Sequence, residues 1–217
     1  MGGFSAPDTV SPYGTAVVVD PSVALAPDGT AMAAWTLTRG DTVVAQAAMR
    51  PVTGGWSSAD DLSKPAAQVR GAHVAMDASA NAVAAWSRDG VVEMADRRAG
   101  QAWGAARAIS DPGSTAGPPS LAVSGAGAVV AAWPAVSGGA AVVQAALRPA
   151  AGSLLASQVI SDPARPGIAP QAAISDDGIA PVAWQWTDPS TDPSIAKSGV
   201  MAATGVAGTP GTGPATV

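Results

Sequence analysis

The tripeptide Ala33-Ala34-Trp35 ends a short apolar run that recurs three more times along this chain. The later copies are Ala84-Ala85-Trp86, Ala131-Ala132-Trp133 and Val182-Ala183-Trp184. Successive tryptophans are 51, 47 and 51 residues apart, so the repeats account for nearly all of the 217 residues. A repeat of this length can contain one small four-stranded sheet that stacks on its neighbours. The tryptophan spacing therefore predicts a repeat architecture.

The first unit has the pattern of four short strands separated by turns. The first strand covers 22–26 and stops at Pro27-Asp28-Gly29, the second covers 30–36, the third 42–49 and the fourth 56–63. Helical periodicity is missing, because the 19 prolines and 25 glycines recur too often for helices of ordinary length. We therefore predict an all-β chain of four-stranded antiparallel sheets.

Aligning the units predicts one domain over 1–204, followed by a flexible tail over 205–217. The four predicted sheets cover 22–63, 73–110, 120–161 and 171–203. The last unit has no fourth strand of its own, but the segment 3–11 matches the fourth-strand pattern, with Phe4 in the place of Trp56. We predict that this N-terminal strand completes the last sheet and closes a ring, which would remove exposed sheet edges.

In this pattern the chain resembles bacterial secreted β-propeller proteins, here with four blades, and it is loosely similar to the sialidase-like and lectin-type propellers. The Gly-His and Trp-Asp signatures of WD40 repeats do not occur in the units, and the sialidase Asp-box is only partly matched at 26–30. Sialidase activity would also need a tyrosine nucleophile, whereas Tyr13, the only tyrosine, lies in a Pro-Tyr-Gly turn. The resemblance implies a binding face formed by the loops after the second and fourth strands.

Composition excludes several classes of function. The net charge is −5 and no stretch rich in lysine and arginine occurs, which argues against nucleic-acid partners. The chain has no cysteine, so disulfides and thiol chemistry are excluded. No apolar stretch is long enough for membrane insertion, and we predict neither a metal site nor a cofactor. A surface with few charges favours a secreted or cell-surface protein.

The repeated tryptophans and the alanine at the centre of each first strand are predicted to pack between blades, so candidates for ligand binding are the features that do not repeat. His73 is the only histidine, Trp186 has no counterpart in the other units, and charged loop residues are scarce. The candidate ligand-binding residues are His73, Trp186, Arg39, Asp41, Arg88, Asp89 and Asp188. The first residues of the inner strands, which we expect at the mouth of the axial channel, are Ser22, His73, Ser120 and Gln171.

Three functions are compatible with these residues. The preferred interpretation is a noncatalytic module that binds a carbohydrate or protein partner through the loop face, with no catalytic residue assigned. The first alternative is a glycoside hydrolase or lyase that uses loop carboxylates and His73. The second alternative is a structural or engineered self-assembling propeller fragment. The chain could be a monomer or a homodimer, because two chains could pair as one larger ring.

Overall fold

A computed structural model of the protein describes residues 3, 5–11, 14, 16–188 and 197–207. Within these ranges the chain forms sixteen strands, and it contains no helix long and apolar enough to cross a membrane. The strands of the first half are β1 (Val17–Leu25), β2 (Ala31–Arg39), β3 (Thr42–Arg50), β4 (Asp60–Asp61), β5 (Val69–Met76), β6 (Ala82–Arg88), β7 (Val91–Arg97) and β8 (Arg107–Ala108). Those of the second half are β9 (Ser114–Ala116), β10 (Ser120–Val123), β11 (Val129–Ser137), β12 (Ala140–Arg148), β13 (Gln158–Val159), β14 (Gly167–Ala172), β15 (Ile179–Thr187) and β16 (Ser198–Val206).

The strands form four antiparallel sheets that follow one another along the chain. The first sheet has the order β1-β2-β3-β4, the second β5-β6-β7-β8, and the third β10-β11-β12-β13, with β9 also paired to β11. The fourth sheet has the order β14-β15-β16. Short turns such as Pro27-Asp28-Gly29 reverse the chain between successive strands, and there the Asp28 carboxylate accepts a hydrogen bond from the Thr30 amide at 2.8 Å.

In the second, third and fourth sheets, the repeated tryptophan packs its sheet onto the preceding one. Trp86 of the second sheet is fully buried in a cluster with Met32 and Ala34 of the first, and Trp133 of the third sheet packs with Val83 and Ala85 of the second. The fourth sheet repeats the arrangement: Trp184 packs with Val130 and Ala132 of the third. Alanine before each tryptophan leaves room for the next sheet's indole ring. The all-β propeller architecture predicted from the repeat is confirmed.

The inner strands carry a repeated bulge. Pairing shifts register between Val19 and Ser22 in β1, between Arg70 and His73 in β5, and between Ile168 and Gln171 in β14. Within each bulge, the residue that follows Val19, Arg70 or Ile168 has left-handed backbone dihedrals. These residues are Asp20 with φ 54°, Gly71 with φ 60° and Ala169 with φ 49°. Pro118 holds this position in the third unit, and its ring fixes φ at a negative value. The inner strand of the third sheet is accordingly split into β9 and β10.

The predicted closing strand is not formed by the described residues of segment 3–11. Those residues adopt no strand, and the fourth sheet has three strands in the described part of the chain. Val10 instead packs against Trp35 and Leu37 on the first sheet, where it covers apolar surface. Phe4 and the distal tail 208–217 lie outside the described residues. The last strand, β16, runs to Val206, beyond the predicted domain boundary at 204.

The four sheets are packed in series. Extensive contacts join the first sheet to the second, the second to the third, and the third to the fourth. Among the described strands no comparable packing joins the first sheet to the fourth. The described strands therefore form an arc of four propeller blades, without comparable packing between the first and last sheets.

Candidate functional site

The predicted loop face contains a groove of about 510 Å³ between the second and third sheets. It is bounded by the segment that leads into β5, by the β6–β7 turn, and by the segment around β9. The side chains that give the groove its chemistry are Gln68, Arg70, Ser87, Asp89, Thr115 and Pro118. The groove therefore draws its residues from two loops after fourth strands and one turn after a second strand.

Asp89 occupies the β6–β7 turn with φ 49° and is held there by the segment before β5. Its amide donates to the Gln68 carbonyl at 2.9 Å, and its carboxylate accepts from the Gln68 amide at 3.0 Å. Gly90 follows, and its carbonyl accepts from the Ala116 amide of β9 at 2.7 Å. The turn is thus tied to both sides of the groove, which fixes where the Asp89 carboxylate lies.

Arg70 provides the positive charge of the groove. It lies in β5 opposite Ser87, is exposed, and makes no salt bridge with any of the described residues. The Ser87 hydroxyl donates to the Ala116 carbonyl at 2.8 Å, which connects β6 to β9 beneath the groove. Because the Arg70 guanidinium has no ion-pair partner among the described residues and the Asp89 carboxylate lines the same groove, both charges are able to bind a polar ligand.

Arg88 is not available to a ligand, although the sequence made it a candidate. Its guanidinium donates two hydrogen bonds to Glu93, at 2.9 and 2.5 Å, and the Trp86 indole donates a third at 3.0 Å. Burial raises the pKa of Glu93, but the bonds from Arg88 and Trp86 outweigh it and hold that pKa below its ordinary value. The hydrogen bond with Glu93 also raises the pKa of Arg88. The pair has a structural role in the second sheet.

Trp186 is half-buried against the third sheet rather than free on the loop face. The Arg165 guanidinium lies 5.4 Å from the centre of its ring. Gly199 packs against the indole so closely that a Cβ there would be 2.7 Å from Nε1. The positions two residues after the other second-strand tryptophans hold Leu37, Arg88 and Ala135, and of these Leu37 and Ala135 are buried. Little of the ring remains for stacking on a ligand.

The four residues predicted at the channel mouth do occupy one repeated position. Ser22, His73, Ser120 and Gln171 pair with the alanine that precedes each tryptophan. The Ser22 hydroxyl accepts from the Val74 amide at 3.2 Å, and the Ser120 hydroxyl accepts from the Ala172 amide at 3.0 Å. These serines therefore connect successive inner strands. Burial lowers the pKa of His73 by more than the Asp20 carboxylate raises it, so burial favours the neutral imidazole.

The remaining candidates lie away from the groove. Arg39 and Asp41 belong to the β2–β3 hairpin of the first sheet, where Arg39 is 3.9 Å from Asp61 in an exposed ion pair. The Asp188 amide donates to the Lys197 carbonyl at 2.6 Å in the fourth sheet. Of the predicted ligand residues, Asp89 alone lines the groove. Gln68, Arg70 and Thr115 were not among those candidates; their sequence signal was their place in the loops after fourth strands and, for Arg70, its charge.

No protein-family model matches this sequence, and no curated protein matches it. Solved structures resemble it in fold. A Dyadobacter fermentans protein of unknown function is 13% identical, with a TM-score of 0.57, over 85% of this chain and 64% of its own. The GH93 α-L-arabinofuranosidase of Fusarium graminearum, in complex with arabinobiose, is 12% identical, with a TM-score of 0.56, over 88% and 63%. The Penicillium chrysogenum α-L-arabinanase, also with arabinobiose, is 10% identical, with a TM-score of 0.58, over 90% and 65%.

These similarities establish the propeller fold. The chain spans less than two thirds of the length of each of the three structures, between 63% and 65%. Identities of 10–13% are too low to transfer a site residue by residue.

Proposed function

We propose that the groove between the second and third sheets binds carbohydrate, as part of a secreted or cell-surface protein. The observation that carries this proposal is that one groove is lined both by the fixed Asp89 carboxylate and by the Arg70 guanidinium, which makes no salt bridge among the described residues. Carboxylate, guanidinium and amide groups can each hydrogen-bond two neighbouring sugar hydroxyls, and a few such groups in a preformed cleft fix a ligand's orientation. The similarity in fold to two proteins solved with arabinobiose supports the choice of ligand class.

Glycan cleavage is the second candidate, and the comparisons favour it, because two of the similar structures are named as arabinan-degrading enzymes. Glycoside hydrolysis by the usual mechanisms needs two carboxyl groups about 5–10 Å apart. Asp89 is the one carboxyl group among the described residues that line the groove. The chemistry of the groove therefore supports binding more directly than it supports cleavage.

Binding and turnover can be measured on the same variants. We expect arabino-oligosaccharides to bind the full chain in isothermal titration calorimetry. Arg70→Gln should weaken that binding by about tenfold or more, since a hydrogen bond to a charged group contributes about 1.5–3 kcal/mol. Asp89→Asn keeps an oxygen for the Gln68 amide but removes the charge, so it tests the carboxylate without releasing the turn. Arg50→Gln, on an exposed arginine at the end of β3, is the matched control.

Turnover of arabinan separates the two candidates. Cleavage that Asp89→Asn abolishes, with binding retained, would establish the enzyme. Binding without cleavage would establish the recognition module. If no arabino-oligosaccharide binds, or if Arg50→Gln weakens binding as much as Arg70→Gln, the groove is not the carbohydrate site.

A further inference from the structure

The sheets of this protein pack through two repeated faces. We call the side of each sheet that meets the next sheet its forward face, and the opposite side its rear face. Two forward-face positions recur in every sheet. The first is the alanine just before the repeated tryptophan. The second lies on the third strand and is the residue that pairs with the residue just after that tryptophan. In the first three sheets both are fully buried, and Ala34, Ala45, Ala85, Val92, Ala132 and Val143 are each 0% exposed. The forward face is thus an apolar docking surface wherever a sheet follows.

The forward face of the fourth sheet carries the same apolar pattern but is uncovered. Val200 holds the position of Ala45, Val92 and Val143, since each pairs with the residue that follows its sheet's tryptophan. It is 78% exposed, and Ile179 and Val206, paired on the same face, are 44% and 51% exposed. This face is built to receive another sheet.

The rear face of the first sheet is uncovered along its inner strand, β1. Val23 pairs with Ala33 as Val74 pairs with Ala84 and Leu121 with Ala131. Val74 and Leu121 are 5% and 9% exposed, whereas Val23 is 72% exposed. Leu25, two residues on, is 70% exposed. The chain thus offers one unpartnered face of each kind.

The segment before β1 already holds part of a preceding sheet's place. Val10-Ser11 aligns with Leu62-Ser63, Ile109-Ser110 and Ile160-Ser161. Each of the three later apolar residues packs at the interface between its own sheet and the next, and Val10 packs on the rear face of the first sheet in the same manner. Each later serine hydroxyl accepts a hydrogen bond from a backbone amide in the third strand of its own sheet. The Ala45 amide donates to Ser63 at 2.9 Å, the Val92 amide to Ser110 at 3.1 Å and the Val143 amide to Ser161 at 2.8 Å. By that rule Ser11 should accept from the amide of Val200.

From this we infer that two copies of the chain associate head to tail, with the fourth sheet of each docked on the first sheet of the other. The residues before β1 of one copy then supply the missing fourth strand of the other copy's last sheet, with Ser11 Oγ on the Val200 amide. For the first and fourth sheets of one chain to meet, the angles between neighbouring sheets would have to change. The interfaces between those sheets are already packed, because Trp86 and Trp133 are fully buried there. A second copy satisfies both faces and leaves those interfaces unchanged. Two such contacts close a ring of eight sheets.

An apolar groove at the edge of the fourth sheet fits the same arrangement. It has a volume of about 550 Å³ and is lined by residues that include Leu147, Leu155, Val182 and Ala203. At the two preceding interfaces the residue that begins the fourth strand, Trp103 or Leu154, packs into the cluster between its sheet and the sheet before it. Phe4 holds that position in the sequence of the segment 3–11. The groove lies where the partner copy's fourth strand would bring its aromatic residue.

Light scattering coupled to gel filtration tests the inference on the full chain. The wild type should have twice the chain mass of 21.0 kDa. Val200→Lys and Val23→Lys should each run at the mass of one chain, with unchanged circular dichroism, because both side chains are exposed within a single copy. Val52→Lys, at an exposed valine in a turn, is the matched control and should keep the wild-type mass.

Mixing the two variants distinguishes a head-to-tail contact from a symmetric one. The Val23→Lys chain keeps an intact fourth sheet and the Val200→Lys chain an intact first sheet, so the mixture should regain two-chain particles through one contact. Three results would each overturn the inference: a wild type of single-chain mass at every concentration, masses that grow beyond two chains, or a two-chain mass that neither substitution changes. A single-chain wild type whose Val200 amide is protected from hydrogen exchange would indicate closure within one chain instead.

Discussion

At the scale of single residues, the structure pairs each tryptophan with a side chain on the adjacent strand, and in three sheets that side chain is polar. The Trp35 and Trp133 indoles donate to Gln46 and Gln144 at 3.1 and 3.0 Å, and Trp86 donates to Glu93. In the fourth sheet the paired residue is Met201, and the buried Trp184 Nε1 has no hydrogen-bond partner among the described residues. A buried donor without a partner costs free energy.

Met201→Gln should therefore stabilise the protein. The new amide oxygen would meet the Trp184 indole as Gln144 meets Trp133, and a neutral buried hydrogen bond contributes about 1 kcal/mol net. Thermal and urea unfolding would measure the gain. The reverse change, Gln144→Met, should destabilise the protein by about 1–3 kcal/mol, because it leaves the Trp133 donor unsatisfied. Equal losses from both substitutions would contradict the assigned role of the paired residue.

Glu93 makes the second sheet sensitive to acid. Its pKa is lower in the folded chain than in the unfolded one, so the carboxylate stabilises the fold above the ordinary glutamate pKa of about 4.3. That stabilisation is lost as the pH falls through the lower folded-state pKa. We expect Glu93→Gln to fold, since glutamine holds this position in two other sheets, and to be less stable than the wild type at neutral pH. Urea unfolding across the acidic range should show that the free energy of unfolding falls less steeply with decreasing pH for Glu93→Gln than for the wild type. Equal slopes for the two proteins would refute this role.

At the scale of structural elements, the bulge in each inner strand sets how closely neighbouring strands approach. Gly71 meets Pro118 at this point, and a Cβ on Gly71 would lie 2.5 Å from the Pro118 Cβ. The other bulge residues, Asp20 and Ala169, tolerate a side chain in the left-handed conformation at some cost in strain. The second bulge is thus limited both by its backbone conformation and by its neighbour.

Gly71→Ala should destabilise the protein by about 2 kcal/mol or more, through a backbone strain of about 1–3 kcal/mol and the contact with Pro118. Ala169→Gly is the matched substitution at the last bulge and should be neutral or slightly stabilising, because it relieves left-handed strain while adding backbone freedom. Chemical denaturation would give both differences. A Gly71→Ala variant as stable as the wild type would show that the inner strands can move apart without cost.

At the scale of the whole molecule, the tryptophan spacing predicts the four sheets, whereas the strand expected to close them is not formed by the described residues of 3–11. The tryptophan spacing and the turn residues marked each sheet because hydrophobic patterning and turn chemistry are local. The match of Val10-Ser11 to Leu62-Ser63 was also real, yet pairing with β16 depends on where the last sheet lies relative to the first. That position results from small angles summed over three interfaces, which no local pattern encodes.

The candidate site was predictable to the same extent. The sequence predicts a binding face formed by the loops after the second and fourth strands, and the structure brings three of these loops to one groove. Which side chains remain free was not predictable: Arg88 is bound to Glu93, whereas Arg70 has no salt bridge among the described residues. That difference depends on the register between β6 and β7, which places Arg88 and Glu93 within reach of each other.

The buried Trp184 indole, which has no acceptor among the described residues, has an optical consequence. Each sheet contains a single buried tryptophan at the same register position, and the four differ mainly in what the ring nitrogen touches. A hydrogen bond from the indole to Gln46, Glu93 or Gln144 shifts its emission toward longer wavelengths. Of these four tryptophans, Trp184 should therefore emit at the shortest wavelength. Replacing the other six tryptophans of the chain by phenylalanine would leave Trp184 as the only indole emitter, and its signal would follow the end of the arc as it opens or finds a partner.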